Sequence, residues 1–209
     1  MSKPKQSMVS VVEKYSRFCE SSFGDRLMTK EADYLRKALA GRRHILDVGC
    51  GIGTFEQKLA ELAISGVDRD AKMLEAARAR TTNTYCRADA AALPFRNASF
   101  DAVIFVTSLE FMDDYKAALD EAARVLQPKG SLVVMLLNPE SGYFKGHYAK
   151  EGSYFRRMKH KNLRAMVEYS ALRFEEVHTQ YFLGIDGDKL FDTQNKAFAS
   201  LFLINGIKK

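Results

Sequence analysis

A short apolar run followed by three alternating glycines constrains the fold of this chain more than any other feature. The run occupies 45–48, the glycines are Gly49, Gly51 and Gly53, and a helix-compatible segment starts at Thr54. Strand, glycine loop and helix in this order open a nucleotide-binding βαβ unit. Glycine has no Cβ, so the loop can turn sharply and approach a ligand, while the helix N-terminus offers free N–H groups to an anion.

An acidic residue at the end of the next predicted strand supports this interpretation. Asp68 ends the next predicted strand and lies about 20 residues after Gly49, the offset at which a carboxylate reaches a ribose hydroxyl. The alternative is that Asp68 caps the helix predicted over 71–80. A dinucleotide fingerprint needs a further glycine where this chain has Thr54, so NAD is the weaker interpretation.

Five ordered segments resemble the motifs of class I S-adenosylmethionine (SAM)-dependent methyltransferases, and within that class the type 11 family. The similarity spans about 15–183 and is most specific over 44–137; one departure is Lys129, where the family usually has glycine. The segments are 47–53, 66–68 with 73–74, 87–95, 99–103 and 124–130.

The resemblance implies SAM as the cofactor, with S-adenosylhomocysteine as its product, and a set of cofactor-binding residues. It assigns the ribose to Asp68 and the adenine to the Asp89 carboxylate and the Ala90 N–H. The alternatives are an Asx turn at Asp89 and a purely structural role for Asp47. The implied set is Tyr15, Asp47, Gly49, Cys50, Gly51, Gly53, Asp68, Arg69, Met73, Asp89, Ala90, Thr107, Ser108 and Leu109.

Glu110 is the candidate catalytic residue. It is the only ionisable side chain at the end of the fourth predicted strand, which in this family lies beside the transferred methyl group. Glu110 could deprotonate or orient a methyl acceptor. The alternative is that it bonds to the backbone or to a residue of a covering segment.

Composition limits the cellular setting and the class of site. No apolar run approaches the length of a membrane span, and residues 1–6 lack the apolar region of a secretory signal. Cys19, Cys50 and Cys86 are scattered, and the four histidines have no metal-ligand spacing. We therefore expect a cytoplasmic protein without a metal site or a membrane span.

The alternation of apolar runs and helical segments predicts an α/β fold. We expect a Rossmann-like, doubly wound, mostly parallel seven-stranded sheet with an antiparallel edge hairpin and an N-terminal helical cover. The predicted strands are 44–48, 64–67, 84–87, 101–106, 131–137, 173–182 and 198–205, and the predicted helices between or beside them are 54–62, 71–80, 114–126 and 162–169.

Domain organisation follows from the same pattern. After a disordered start at 1–7, a single domain is predicted over 8–209. Its parts are a helical cover at 8–40, a SAM-binding core at 41–138, a lid at 139–161, and a C-terminal helix with the edge hairpin at 162–209.

The lid segment carries much of the positive charge. The chain has a formal net charge of +6, and 139–161 contains six Lys or Arg residues, two Glu residues and five aromatic residues. We expect it to cover a small-molecule acceptor of acidic or aromatic character. One alternative is an RNA or protein methyltransferase that uses this basic segment, although no RNA-binding motif accompanies it. Another is a SAM-binding module without turnover.

Overall fold

The computed structural model describes residues 11–209, which form one eight-stranded sheet with helices on both faces. The helices are α1 (Val11–Glu20), α2 (Ser22–Ala38), α3 (Thr54–Lys58), α4 (Ala71–Arg80), α5 (Tyr115–Val125), α6 (Gly142–Ala149) and α7 (Leu163–Arg173). The strands are β1 (Ile45–Val48), β2 (Ile64–Asp68), β3 (Thr84–Arg87), β4 (Phe100–Val106), β5 (Leu126–Leu137), β6 (Phe174–Asp186), β7 (Lys189–Phe191) and β8 (Ala199–Lys208).

The central strands are buried on both faces because helices cover both sides of the sheet. All four residues of β1 are buried. In β4, Ile104 belongs to the apolar cluster beneath α1 and α2, whereas its neighbour Phe105 belongs to the cluster beneath α5 and α7. Successive side chains of a strand point to opposite faces, so an unbroken apolar run is what a doubly covered strand requires.

The strand order is β3-β2-β1-β4-β5-β8-β6-β7, and β1 to β5 are parallel. The predicted mostly parallel sheet with an antiparallel edge is therefore confirmed. The connections from β1 and β4 leave in opposite directions, which opens a crevice at the carboxyl ends of these strands, where open α/β sheets bind ligands.

The predicted number of seven strands is wrong, because β7 adds an eighth at the edge. Three residues, Lys189–Phe191, pair antiparallel with the end of β6 across a turn in which Gly187 has φ +55°. A three-residue strand is too short to show alternation of apolar and polar residues, so the sequence pattern gives no sign of it.

Other segments differ from the predicted elements, and one lies beyond the described residues. β5 begins at Leu126 rather than at 131, β6 ends at Asp186 rather than at 182, and α7 ends at Arg173 rather than at 169. The helix predicted over 54–62 ends at Lys58. The lid, predicted without helices, contains α6 and a 3₁₀ turn at Tyr154–Arg157, each begun by a serine hydroxyl that accepts a backbone N–H. The disordered start predicted at 1–7 lies outside the described residues, as does the beginning of the helical cover.

None of the helices within residues 11–209 is both long enough and apolar enough to cross a membrane.

Candidate active site

A cavity of about 500 Å³ lies at the carboxyl ends of β1, β2 and β4. Its floor is the glycine loop after β1, and its roof is formed by α1, α2 and the lid. The cavity therefore extends from the glycine loop to a far compartment beneath α1, α2 and the lid. Its size is typical of a small-molecule site.

The three glycines of the loop all have positive φ, but they are needed for different reasons. A Cβ on Gly49 would lie 2.5 Å from the Ser108 Cβ, and one on Gly53 would lie 2.5 Å from the Tyr85 hydroxyl oxygen. A Cβ on Gly51 would meet only a Tyr15 ring carbon, at 3.8 Å. Gly49 and Gly53 thus allow close packing within the protein, whereas Gly51 leaves space in the cavity.

Asp68 holds the loop from the end of β2. One carboxylate oxygen accepts the Gly51 N–H at 3.0 Å, and the other accepts the Asp70 N–H at 2.8 Å. Burial raises the pKa of this carboxyl, and the two N–H groups oppose that rise. The helix cap proposed as the alternative for Asp68 belongs to Asp70, whose side chain accepts the Lys72 N–H at the start of α4.

The residues that the resemblance assigned to adenine line the same end of the cavity. Asp89, Ala90 and Met73 all contribute to its wall. Asp89 also forms the Asx turn considered above, since one of its oxygens accepts the Ala91 N–H at 2.9 Å. This bond uses one carboxylate oxygen and leaves the other for a ligand. Arg69 lies on the rim, where it forms an exposed ion pair of 2.8 Å with Asp113.

Two buried carboxyl groups lie near the loop. Asp47 lines the cavity, and within the described part of the chain neither its oxygens nor those of Glu56 have a hydrogen-bond partner. Burial raises the pKa of Asp47, and the negative charges of Glu56 and Asp68 raise it further. Burial likewise raises the pKa of Glu56 to about 7. An unpartnered acidic group here offers a position for a cationic ligand group.

The end of β4 contributes two residues of the cavity wall. Thr107 has φ +45°, a strained conformation for a β-branched residue, and Ser108 donates its hydroxyl to the Val48 carbonyl at 2.7 Å. Tyr15 and Cys50 also line the cavity. Twelve of the fourteen residues assigned to the cofactor therefore share this cavity, whereas Gly53 and Leu109 do not line it.

The structure places Glu110 behind the cavity wall. Its side chain is fully buried in a 3₁₀ turn at Leu109–Phe111, and one carboxylate oxygen accepts the Leu137 N–H at 2.9 Å. This is the backbone contact that the sequence left open as the alternative. Burial raises the pKa of Glu110 to about 7, and the Leu137 N–H partly offsets that rise.

Replacing Glu110 by glutamine is expected to change stability rather than methyl transfer. Because the folded state disfavours the ionised carboxyl, the stability of the wild type falls as pH rises from about 4.5 to about 7, and the loss stays constant above that. The variant lacks this loss. The difference in unfolding free energy between the variant and the wild type should therefore grow by roughly 2–3 kcal/mol from pH 5 to pH 8, in favour of the variant.

Urea unfolding of both proteins at the two pH values measures this difference. If Glu110→Gln instead loses turnover and keeps the wild-type pH dependence of stability, Glu110 takes part in the chemistry.

The far compartment combines residues of the lid, which was expected to cover the acceptor, with residues such as Phe18, Glu31 and Phe111 that were not identified from the sequence. The residues of this compartment come from the covering helices, the lid and the 3₁₀ turn after β4, and they include one carboxyl group, Glu31, and several aromatic rings. Glu31 lies four residues from Leu27 and Leu35, so a charged residue within the apolar stripe of a helix was the available signal. These residues include Phe18, Glu31, Phe111, Tyr143, His147, Tyr154, Phe155 and Arg157.

Comparison with known proteins defines the class of the core. Residues 46–134 match the family model described as "Methyltransferase domain". The resemblance to SAM-dependent methyltransferases is therefore confirmed for this part of the chain. For residues 46–134, the methyltransferase family implies SAM as the cofactor.

Individual relatives agree with this class. An O-methyltransferase of Aspergillus sclerotiorum is 37% identical over 117 residues, which are 51% of this chain and 44% of that protein. An O-methyltransferase of Penicillium expansum is 37% identical over 121 residues, which are 53% of this chain and 43% of that protein. The chain thus spans less than half the length of these two curated relatives.

A crystal structure supports the fold over nearly the whole chain. A SAM-dependent methyltransferase from Thermotoga maritima superposes with a TM-score of 0.81, covering 95% of this chain and 96% of that one, at 24% identity. The fold is therefore shared over nearly the whole chain.

The residues present fit SAM. Gly51 leaves open the space that a Cβ would fill, and Asp68 presents a carboxylate at the same loop. The orphaned oxygens of Asp47 suit the ammonium group of the methionine part. Asp89 and Ala90, in the loop after β3, would hold the adenine.

Proposed function

We propose that this protein transfers a methyl group from SAM to a small organic acceptor. The observation that carries the proposal is the continuity of the cavity. One space joins the glycine loop, Asp68 and Asp89 to the aromatic compartment beneath α1, α2 and the lid. A donor and an acceptor can therefore meet within it.

The donor supplies a methyl carbon on a positively charged sulfur, and the protein's task is mainly alignment. Holding two reactants in line contributes about 7–11 kcal/mol to the barrier reduction in favourable cases. Here Asp68 and the glycine loop would fix the donor, while Tyr15 lies directly over Gly51. The covering helices and the lid would exclude water and position the acceptor.

The names of the two fungal relatives favour oxygen as the methylated atom, whereas the Thermotoga maritima structure is described as a possible histamine N-methyltransferase. Both fungal proteins with 37% identity are O-methyltransferases. Because their matched regions stop well short of their full lengths, their acceptors are not transferred to this chain. The aromatic lining of the far compartment supports a flat, partly apolar acceptor.

Four of the lid's six cations are engaged within the lid or with its neighbours, which disfavours a nucleic-acid acceptor. The Lys161 ammonium lies 3.9 Å from the centre of the Tyr148 ring, and the Arg156 guanidinium lies 5.9 Å from the same centre. Lys159 pairs with Asp113. A surface that binds phosphates needs its cations free to replace counterions.

Incubation with methyl-labelled SAM tests the proposal. We expect S-adenosylhomocysteine to form only when a small acceptor is present, and a panel should contain phenols, aliphatic alcohols and aromatic amines. SAM binding without product from any acceptor or cell extract would identify a non-catalytic module instead. Transfer of label to RNA or protein, with salt-sensitive binding, would support the macromolecular alternative.

A further inference from the structure

Glu31 is a buried carboxyl group in the wall of the far compartment. Only 3% of the residue is exposed, and it lines the cavity from the apolar stripe of α2. Within residues 11–209 the structure records no hydrogen bond or ion pair to its carboxylate. Leu27 and Leu35, on either side of it along the stripe, show what this position would hold if packing alone mattered.

A buried carboxyl without a partner among residues 11–209 destabilises the empty protein if it is ionised, so a ligand group that bonds to it would restore stability. Burying a charge without compensation costs several kcal/mol, and proteins usually pair or neutralise such groups. In addition, the group faces the cavity rather than the core. A purely structural role would not need an acidic side chain there.

Aromatic side chains line the same cavity as Glu31. Phe18 lines the cavity from α1, and Tyr143 and Phe155 line it from the lid with their ring centres 5.8 Å apart in an edge-to-face arrangement. Aromatic side chains bind a flat ring by stacking or by edge-to-face contact. Together, the rings and the carboxyl suit a ring that bears a hydrogen-bond donor.

We propose that Glu31 binds the hydroxyl group of an aromatic acceptor and takes its proton during methyl transfer. This inference rests on the proposed methyltransferase function and names the substrate class and a catalytic residue for it.

The step balances without a further reactant. The acceptor's O–H bond breaks and its proton passes to a Glu31 carboxylate oxygen. The acceptor oxygen forms a bond to the methyl carbon, the carbon–sulfur bond of SAM breaks, and its electron pair remains on sulfur. After the product leaves, Glu31 returns the proton to solvent.

The acidity of the group suits this task. Burial raises the pKa of Glu31 to about 8. This value is closer to the pKa of a phenol, about 10, than the pKa of an ordinary carboxyl group is. A base whose pKa lies near the working pH is efficient because it is both available and sufficiently basic.

The tyrosines and the cysteine that interact with Glu31 do not replace it as a base. Tyr15 and Cys19 from α1 and Tyr143 from α6 interact with it electrostatically, and burial raises the pKa of each. All three are therefore neutral at pH 7. Lys14, His147 and Arg157 line the same cavity, and Lys14 and Arg157 are exposed at its mouth.

Kinetics with phenols of graded acidity test the proton transfer. We expect Glu31→Gln to lose at least about tenfold in kcat with unsubstituted phenol, and SAM affinity to stay unchanged. The loss should shrink with nitrophenols, which ionise without help. Asp33→Asn, an exposed acidic position on the same helix, is the matched control.

Binding to the non-reactive complex with S-adenosylhomocysteine tests the contact independently of turnover. Wild type should prefer phenol over anisole, its O-methyl ether, by roughly tenfold, about 1.4 kcal/mol. Glu31→Leu, which suits the apolar stripe and should fold, should abolish that preference.

The outcomes separate this inference from the proposed function. If wild type produces no methylated acceptor but Glu31 still controls the phenol preference, the proposed function fails and the contact stands. An equal loss for all phenols, or a wild type without preference for phenol, overturns the inference. So does methylation of amines alone, with Glu31→Gln raising only KM, because Glu31 would then pair with an ammonium group.

Discussion

Replacing Gly51 by leucine is expected to weaken SAM binding roughly 100-fold or more, about 2.7 kcal/mol, while the protein stays folded. A Cβ at this position would point into open cavity space, where only a Tyr15 ring carbon lies within 4 Å. A leucine side chain would occupy volume that the ligand needs. Titration calorimetry with SAM measures the effect.

The matched control is Gly41→Leu. Gly41 also has positive φ, +80°, and a Cβ there would meet nothing within 4 Å. Both variants therefore carry the backbone strain of a side chain in the left-handed region, about 1 kcal/mol, but only one fills the cavity. Near-normal SAM affinity in Gly51→Leu would show that the loop does not approach the ligand.

The neighbouring glycines show why this position is the informative one. Leucine at Gly49 or Gly53 would collide with Ser108 or Tyr85, respectively, so a loss of binding there could result from misfolding. Only at Gly51 are the effects on fold and ligand separable.

The parallel half of the sheet could be predicted from the sequence because its signals are local. An unbroken apolar run followed by glycines specifies strand, turn and helix within a dozen residues, and β1 begins within one residue of its predicted start. The Lys129 departure also proves informative. This residue adopts φ +62°, the conformation for which glycine is usually used.

The sequence predicted that the lid covers the acceptor but not which side chains come together there, because long-range packing places them. Glu31 and Phe155 are far apart in the chain, and both line the cavity only because α2 and the lid fold over it. The sequence also did not predict the orientation of the Glu110 side chain. The 3₁₀ turn after β4 points its side chain toward the Leu137 N–H rather than into the cavity.

Long-range packing also determines the backbone conformation at the end of β4. Thr107 has a backbone conformation that its residue type disfavours, and its N–H donates to the Met135 carbonyl at 2.8 Å. Because neighbouring strands impose this geometry, the local sequence does not predict it. Strain of this kind concentrates at functional sites, which agrees with its position on the cavity wall.

Asp68→Ala is expected to weaken SAM binding roughly 10- to 150-fold, about 1.5–3 kcal/mol. The variant loses the carboxylate that would accept the ribose hydroxyls, and it also releases the Gly51 N–H that this carboxylate holds at 3.0 Å. Both losses act on the cofactor end of the cavity. Calorimetric titration with SAM at constant salt gives the affinity.

Asp70→Ala distinguishes cofactor binding from helix capping. Asp70 is two residues away and caps α4 through the Lys72 N–H, so its loss should cost about 1 kcal/mol of stability and leave SAM affinity nearly unchanged. If Asp68→Ala lowers stability by a similar amount and still binds SAM normally, its carboxylate only orders the loop. If affinity falls in the Asp68 variant alone, the carboxylate at the end of β2 is part of the cofactor site, because the two variants differ in the ligand contact rather than in the helix that follows.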